Sequence, residues 1–332
     1  MLMRSFISED DIEQAILKRL QTKELNYDVL ICDSDPAHKE DLNDGTNRRD
    51  KKQCVLPEIL KSSLYRLNPN IDKKYIDEQL CELCSDFTGK DIVATNYKFY
   101  NQIRNGIKIN IRKKDKDDFD FIKLIDFEHP ENNTFTAVSQ MWIQGKVYWR
   151  RPDIILFVNG LPLVFIELKN ATVKVEEAYN KNLKDYLNDI PNLFAFNQIC
   201  VLSNGLETRM GAFNATFDYF FEWLKVKNEK EKINRKALQE IENANDSSIK
   251  FLIDGLFNKK SLIDYIENFI LFENQTTKII AKNHQFLGVN NLMESVYNRT
   301  ELQGKLGVFW HTQGSGKSFS MVMFARKVKR KI

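Results

Sequence analysis

The sequence predicts an α/β fold, in which short apolar strands form a sheet between helical segments and a strand, a glycine-rich turn and a helix come last. Three observations lead there. From about residue 115 to residue 170, β-branched and aromatic runs recur between turn residues. On either side of that stretch, apolar residues return at helical spacing. Near the end, the apolar run "LGVFW" leads through His311-Thr312-Gln313 into "GSGKS" at residues 314–318.

The elements follow in order. "SEDDIEQAILKRL" offers Ser8 as a cap, acids in the first turn, and Ile12, Ile16, Leu17 and Leu20 on one face, which predicts an amphipathic helix. Residues 33–53 carry mixed charge without apolar periodicity and are expected to form an exposed loop, with Arg48, Arg49, Lys51 and Lys52 solvated rather than on DNA. "LPEILKSSLYRLNP" and "KKYIDEQLCELCSDF" read as two further helices. Cys81 and Cys84 form a lone CxxC in the second; without another pair to complete four ligands they are read as structural, not as a zinc site. The strands are then "FIKLIDF", "TFTAVSQMWI", "KVYWRRP", "DIILFV" and "LVFIELK". A helix "VEEAYNKNLKDYLNDI" and a strand "FNQICVLSNG" come next. Residues 226–255 begin with a stretch that is polar nearly all round, expected as a linker or bridging helix. "IKFLIDGLFNKKSLIDYIENFILFE" and "HQFLGVNNLMESVYNRT" read as helices leading to the last strand, "LGVFW". The sequence shows no internal repeat.

With 332 residues and a 42% hydrophobic fraction, the chain can build two domains with proper cores. Lys and Arg (49) exceed Asp and Glu (46) by three, so any nucleic-acid partner must be held by local patches rather than a global positive field. No apolar run approaches the ~20 residues needed to cross a bilayer. The five cysteines and an N-terminus that turns acidic before an apolar core can form suggest a reducing compartment, hence a cytoplasmic, membrane-free protein.

The apolar hairpin "RRPDIILFVNGLPLVFIELKN" carries three misplaced charges: Asp153, Glu167 and Lys169. Strand alternation puts Glu167 and Lys169 on one face. A three-residue loop, Asn159-Gly160-Leu161, would pair Asp153 with Glu167 on that face, whereas a two-residue loop would pair it with Ile166. Two facing carboxylates are tolerable when a cation lies between them, and oxygen ligands suit Mg²⁺ or Mn²⁺. Such an ion activates water and offsets charge on a phosphodiester, with Lys169 as a second positive charge, so the chemistry implied is phosphodiester hydrolysis. A strand-start Asp with a solvated edge Glu/Lys pair is the bland alternative, disfavoured because both runs read as buried on both faces.

Pro152-Asp153 followed by Glu167-Leu168-Lys169 resembles the PD-(D/E)xK nuclease motif, and the whole hairpin resembles the nuclease domain in the restriction (R) subunit of type I restriction enzymes. The resemblance implies a restriction-endonuclease-like core, a mixed sheet flanked by helices, over residues 1–225. It implies Asp153 and Glu167 as metal ligands and Lys169 as the catalytic lysine. It also implies an assisting acid on the first helix, Glu13 or, second, Glu9, with an exposed helix acid as the equal alternative for Glu13. The family's Gln-x-x-x-Tyr is matched by Tyr186, but Asn182 stands where Gln is expected.

"GVFWHTQGSGKSFSM" departs from the strict phosphate-loop pattern only where His311 replaces Gly. Thr312, Gln313, Gly314, Ser315 and Gly316 would bring backbone amides to phosphates, Lys317 would reach the β and γ phosphates, and Ser318 would ligate Mg²⁺. "FWHTQGSGKS" resembles motif I of superfamily 2 helicases and of the same R subunits, with Gln285 a candidate adenine contact. Residues 256–332 are thus expected to open a P-loop, RecA-like motor truncated after this loop, so that the chain is an N-terminal fragment and ATP serves the full-length protein. The same resemblance implies double-stranded DNA as substrate, and methyltransferase and specificity subunits as partners.

His284 and His311 are read as packing and turn residues, and Lys174, Lys181 and Lys184 as solvated helix lysines ahead of phosphate contacts. Two other functions stay open: a DNA-stimulated translocase whose N-terminal part only binds DNA, and a non-catalytic module that docks subunits.

Overall fold

The computed structural model describes residues 8–113, 116–228, 231–232 and 247–332. Its centre is a six-stranded mixed sheet of order β1-β4-β7-β8-β9-β10: Asp28–Ile31, Phe135–Ser139, Ile154–Val158, Leu161–Leu168, Ile199–Ser203 and Thr208–Gly211. β1 runs parallel to β4, and β8 parallel to β9; the other neighbours are antiparallel. Every residue of β4, β7, β8 and β9 is buried, because helices cover both faces.

One face packs on helix α1 (Glu9–Leu20), whose Ser8 and Asp11 form a reciprocal capping box and whose Ile12, Ile16, Leu17 and Leu20 enter the core. Helices α2 (Pro57–Leu67), α3 (Lys73–Leu83) and α4 (Ile92–Asn105) add to that core. The other face, with Ile155, Phe157 and Phe165, is covered by a continuous helical run: α5 (Val175–Glu177), a π-helical segment (Ala178–Leu183) and α6 (Lys184–Asp189). Two small antiparallel pairs lie outside the sheet, β2–β3 (Ile107–Lys113 with Lys116–Ile122) and β5–β6 (Ile143–Gln144 with Trp149–Arg150).

Beyond the sheet come α7 (Ile249–Leu256), α8 (Lys259–Asn268), the hairpin β11–β12 (Ile270–Glu273 with Thr277–Ile280), α9 (Asn283–Tyr297) and α10 (Lys317–Lys331). Their apolar residues share one core with the sheet. Lys278, 2% exposed, ties β12 to α4 and the start of β9 through Asn96 Oδ1 at 3.0 Å, the Asn197 carbonyl at 2.5 Å and Gln198 Oε1 at 3.0 Å. Three oxygen acceptors suit the three donors of an ammonium.

Several expectations need correction. "FILFE" is strand β11 rather than helix, because Phe269 ends α8 and the segment pairs with Thr277–Ile280. Only Phe121 and Ile122 of "FIKLIDF" belong to a strand. "LGVFW" forms no strand, as nothing among the described residues pairs with it, and Val308 and Trp310 are exposed. Loop 33–53 has one 3₁₀ turn, and its charges are only partly solvated: Arg48 and Lys51 are buried on Asp44 Oδ2 at 2.8 and 2.7 Å, holding that carboxyl well below its usual range. Helix α4 and strand β1 lie outside the sequence-based set. Most of the expected bridging helix in 226–255 falls outside the described residues.

Candidate active site

The hairpin β7–β8 settles the register by a route neither loop length anticipates. The turn has two residues, with Asn159 at φ 51° and Gly160 at φ 81°, a combination suited to Asn-Gly. Val158 pairs with Leu161 and Phe157 with Pro162; then a β-bulge intervenes, so that Leu156 pairs with Val164 and Ile154 with Ile166. The bulge inserts Leu163 as the extra residue. Continued by one residue, this register sets Asp153 opposite Glu167. The expectation that a two-residue loop would misplace the acid is thereby corrected: the bulge restores the parity.

Glu167 is 2% exposed. Its Oε1 accepts from Lys169 Nζ at 3.1 Å and from Asn182 Nδ2, while Oε2 is buried without a partner. Burial first, then the charge of Asp153, push its carboxyl well above the usual range. Asp153 Oδ2 accepts the Leu168 amide at 2.6 Å, which locks it across the hairpin, and burial raises its pKa to about 6. Lys169 also donates to the Leu168 carbonyl at 2.8 Å; burial works against its charge, but Glu167 outweighs that and holds the ammonium.

Helix α1 brings Glu13 to the same place. It is buried, accepts from Gln140 Nε2, and its pKa rises to about 7, chiefly by burial, with Asp153 adding repulsion. Glu9 instead caps the end of β8, accepting the Asn170 amide at 2.8 Å. The helical run contributes Asn182 and Tyr186. Tyr186 donates to the Arg151 carbonyl at 3.2 Å, and burial together with Glu167 keeps the phenol protonated.

Glu13, Asp153, Glu167, Lys169, Asn182 and Tyr186 thus converge. Asn182, standing where a longer Gln is expected, still reaches Glu167. Lys181 pairs with Glu177 at 2.6 Å and Lys184 with Asn180 at 2.8 Å, as solvated helix lysines do. Gln140 was not foreseen: nothing in its local sequence marks it, and only the approach of α1 to the end of β4 gives it a carboxylate to hold.

The donor set fits a hard divalent cation. Two buried carboxyl groups face each other across the strand pair, and Glu167 Oε2 has no hydrogen-bond donor. Mg²⁺ takes one or two carboxylates and fills the rest of its shell with water and phosphate oxygens. Among the described residues no group of three or more His, Cys, Asp or Glu is arranged as a metal site, so a shell of two protein carboxylates is what this place offers.

The glycine-rich turn lies elsewhere, beside α9. Gly314 and Gly316 have φ 79° and 83°, and Gln285 Nε2 donates to the Gly316 carbonyl at 2.9 Å. Lys317 Nζ donates to the His311 carbonyl at 2.9 Å and reaches that of Thr312 at 3.5 Å; Gln313 and Ser318 are exposed. The His284 ring meets the Ser315 carbonyl at 3.0 Å and packs on His311. A cavity of about 450 Å³ opens there, lined by Gln285, Gly314, Ser315 and Gly316 together with Ala212, Tyr219 and Phe221 from beyond β10.

Residues 6–219 match the family model of the type I restriction enzyme R protein N terminus, and residues 284–332 that of the SWI2/SNF2 ATPase. The chain is 36% identical, over 97% of its length, to the type I restriction enzyme HindI endonuclease subunit of Haemophilus influenzae, covering 30% of that protein. It is 30% identical, over 95% of its length, to the putative type I restriction enzyme MjaIXP endonuclease subunit of Methanocaldococcus jannaschii, covering 31% of it. A Staphylococcus aureus relative, the SauCOLORF180P endonuclease subunit, is 26% identical over 64% of the chain and 21% of its own length. The chain therefore spans less than a third of the relatives it matches. Among the described residues no helix is long and apolar enough to cross a membrane.

Proposed function

Since the chain belongs to the family of type I restriction enzyme R protein N termini, we propose that Asp153, Glu167 and Lys169 form the PD-(D/E)xK centre of a metal-dependent DNA endonuclease. The observation that carries this is the state of Glu167: fully desolvated, one oxygen held by Lys169 and Asn182, the other unpartnered, and Asp153 across the strand pair. A buried carboxylate oxygen without a donor calls for an occupant, and a cation held jointly with Asp153 supplies one.

In this reading Asp153 and Glu167 hold Mg²⁺ or Mn²⁺, and the chemistry the ion supplies is activation of a water and neutralisation of charge at the phosphodiester. Lys169, kept as an ammonium by Glu167, faces the charge that grows on the phosphoryl oxygens. Asn182 and Tyr186 fix the Glu167 carboxylate and the backbone at Arg151. Glu13, with a pKa near neutrality, can take or give a proton beside Asp153.

Residues 1–225 then form the nuclease domain, 226–255 a connection, and 256–332 the opening of an ATP-dependent, RecA-like motor. The match to the SWI2/SNF2 ATPase and the cavity beside Gly314–Gly316 support nucleotide binding there, with Thr312–Ser318 around the phosphates and Gln285 toward the base. In the longer protein, ATP-driven movement along double-stranded DNA would precede cleavage, methyltransferase and specificity subunits would supply recognition, and the complex would work in the cytoplasm.

Titration calorimetry with Mn²⁺ or Mg²⁺ tests the centre. The parent chain should bind, and Asp153→Ala and Glu167→Ala, with unchanged circular dichroism, should not. Absence of binding in the parent would refute the nuclease reading and favour a translocase whose N-terminal part only holds DNA.

A further inference from the structure

The excursion between β4 and β7 leaves and re-enters the sheet at the candidate active site. On one side Gln140 holds Glu13 and donates its amide to the Asp153 carbonyl at 3.0 Å; on the other, Arg151 and Pro152 lead into Asp153. Between them stands the hairpin β5–β6, whose tip exposes Val147 (72%) and Tyr148 (59%). Two adjacent apolar side chains are thus exposed at the tip of a hairpin whose flanking segments start and end at the candidate carboxylates.

The hairpin is stiff. The Gly145 amide closes the turn on the Tyr148 carbonyl at 2.8 Å, and the Gln144 amide binds the Lys51 carbonyl at 3.1 Å. Arg150 is clamped on Asp189 at 2.7 Å and Asp185 at 3.3 Å. Gly145 packs so tightly that a Cβ there would lie 1.6 Å from the Asp189 carbonyl oxygen. The surrounding cations are of two kinds. Arg150 is neutralised by its aspartates, whereas Lys39, Lys146 and Arg151 have no ion pair among the described residues, Arg151 donating to the Ser34 carbonyl at 2.6 Å. Lys39 lies over Trp149 at 5.5 Å and Arg151 over Trp142 at 5.2 Å.

We propose that β5–β6 is a finger that seats duplex DNA beside the scissile phosphate, with Val147 and Tyr148 against sugars and base edges in the minor groove and Lys146, Arg151 and Lys39 on flanking phosphates. Tyr148 is five residues from Asp153, at most about 17 Å of extended chain. That is roughly half a turn of duplex, so groove and scissile phosphate can be engaged together. Val147 and Tyr148 side by side form an apolar wedge, which is characteristic of minor-groove contact, and this leaves Lys146 beside them for a phosphate. The anchored turn lowers the ordering cost of binding. The proposal rests on the nuclease reading of the adjoining carboxylates.

Fluorescence anisotropy with a labelled duplex of about 24 base pairs, in EDTA and over a salt series, tests it. Tyr148→Ala and Val147→Ser should each weaken binding about tenfold without changing the salt slope. Lys146→Ala should lower the slope of log K against log salt by about 0.9. All three side chains are exposed, so melting temperatures should stay put. Parent-like binding by the three variants, or no DNA binding by the parent, overturns the finger. Mn²⁺ titration of the same variants separates the two readings. Retained metal binding with weakened DNA binding supports the finger at a nuclease centre; metal binding unaffected by Asp153→Ala, with DNA binding still dependent on Tyr148, leaves the finger standing and removes the centre.

Discussion

Replacing Glu13 by Gln should flatten the dependence of stability on pH. Glu13 sits 5% exposed, its pKa lifted by burial and by Asp153 from the ordinary 4.5 to about 7. The folded chain therefore binds a proton that the unfolded chain releases between these values. Stability associated with this carboxyl is fully present below pH 4.5 and is lost as pH rises through 7. The rise from 4.5 to about 7 gives at most about 3.4 kcal/mol over the whole titration, of which about 2.5 kcal/mol falls between pH 5 and pH 8. For a chain of this size the entropy of unfolding is roughly 0.7 kcal/mol/K, so this carboxyl should lower the parent's melting temperature by about 3–4 °C between pH 5 and pH 8. Gln has nearly the same volume and can still accept from Gln140. Melts of Glu13→Gln and parent in EDTA across pH 5–8 measure the difference, and the variant should gain relative to the parent as pH rises. Parallel curves would show that Glu13 titrates as an ordinary surface acid and has no part in the charge balance around Asp153.

Lys169→Met should keep Mn²⁺ binding, since it removes no oxygen ligand, while its nicking of supercoiled plasmid under Mn²⁺ falls below that of the parent by a factor of about 100 or more; equal nicking would remove the lysine from the chemistry. Gly160→Ala should lower stability by at least about 2 kcal/mol in a denaturant titration, because φ is 81° and the new Cβ would lie 2.6 Å from the Leu56 carbonyl; a neutral result would mean the turn can adopt another form. Lys317→Ala should weaken binding of a fluorescent ATP analogue at least tenfold, read by titration, whereas Lys282→Ala at the cavity edge should change it far less. Loss in neither variant would argue against nucleotide in that cavity.

The parts of the fold carried by local pattern were legible: the capped, one-sided α1, the buried runs of β4, β7, β8 and β9, and the Asn-Gly turn. Elements that depend on long-range partners were not. Strand β1 has only four residues and is defined by pairing with β4, more than 100 residues later. Helix α4 carries Ile, Val and Thr in its first turn and Asn within, poor helix formers that Asp91 rescues by capping two amides. "FILFE" and "LGVFW" err in opposite directions for one reason: a short apolar run becomes a strand only where a neighbouring strand offers hydrogen bonds, as β12 does for the first. In the candidate site, every charged member could be named because charge in an apolar run is anomalous, whereas Gln140 and the finger were not marked by their residues and acquire meaning only from what lies beside them.

The hairpin β7–β8 joins fold and site more tightly than its motif suggests. Side-chain parity along a strand has period two, so a turn shortened by one residue would turn Glu167 away from Asp153. The chain uses the short Asn-Gly turn and then restores parity with a single bulge at Leu163. These two features have separate causes. The turn is fixed by the positive φ of both residues and by Asn159, fully buried, whose Nδ2 donates to the Leu124 carbonyl at 2.9 Å and to Asn133 Oδ1 at 2.7 Å. Pro162 lacks the amide a regular ladder needs, which favours an irregularity beside it. The spacing between Asp153 and Glu167 is therefore a product of turn chemistry some distance from either acid, and a mutation at Asn159, Gly160 or Pro162 that shifts register by one would separate the carboxylates without touching them.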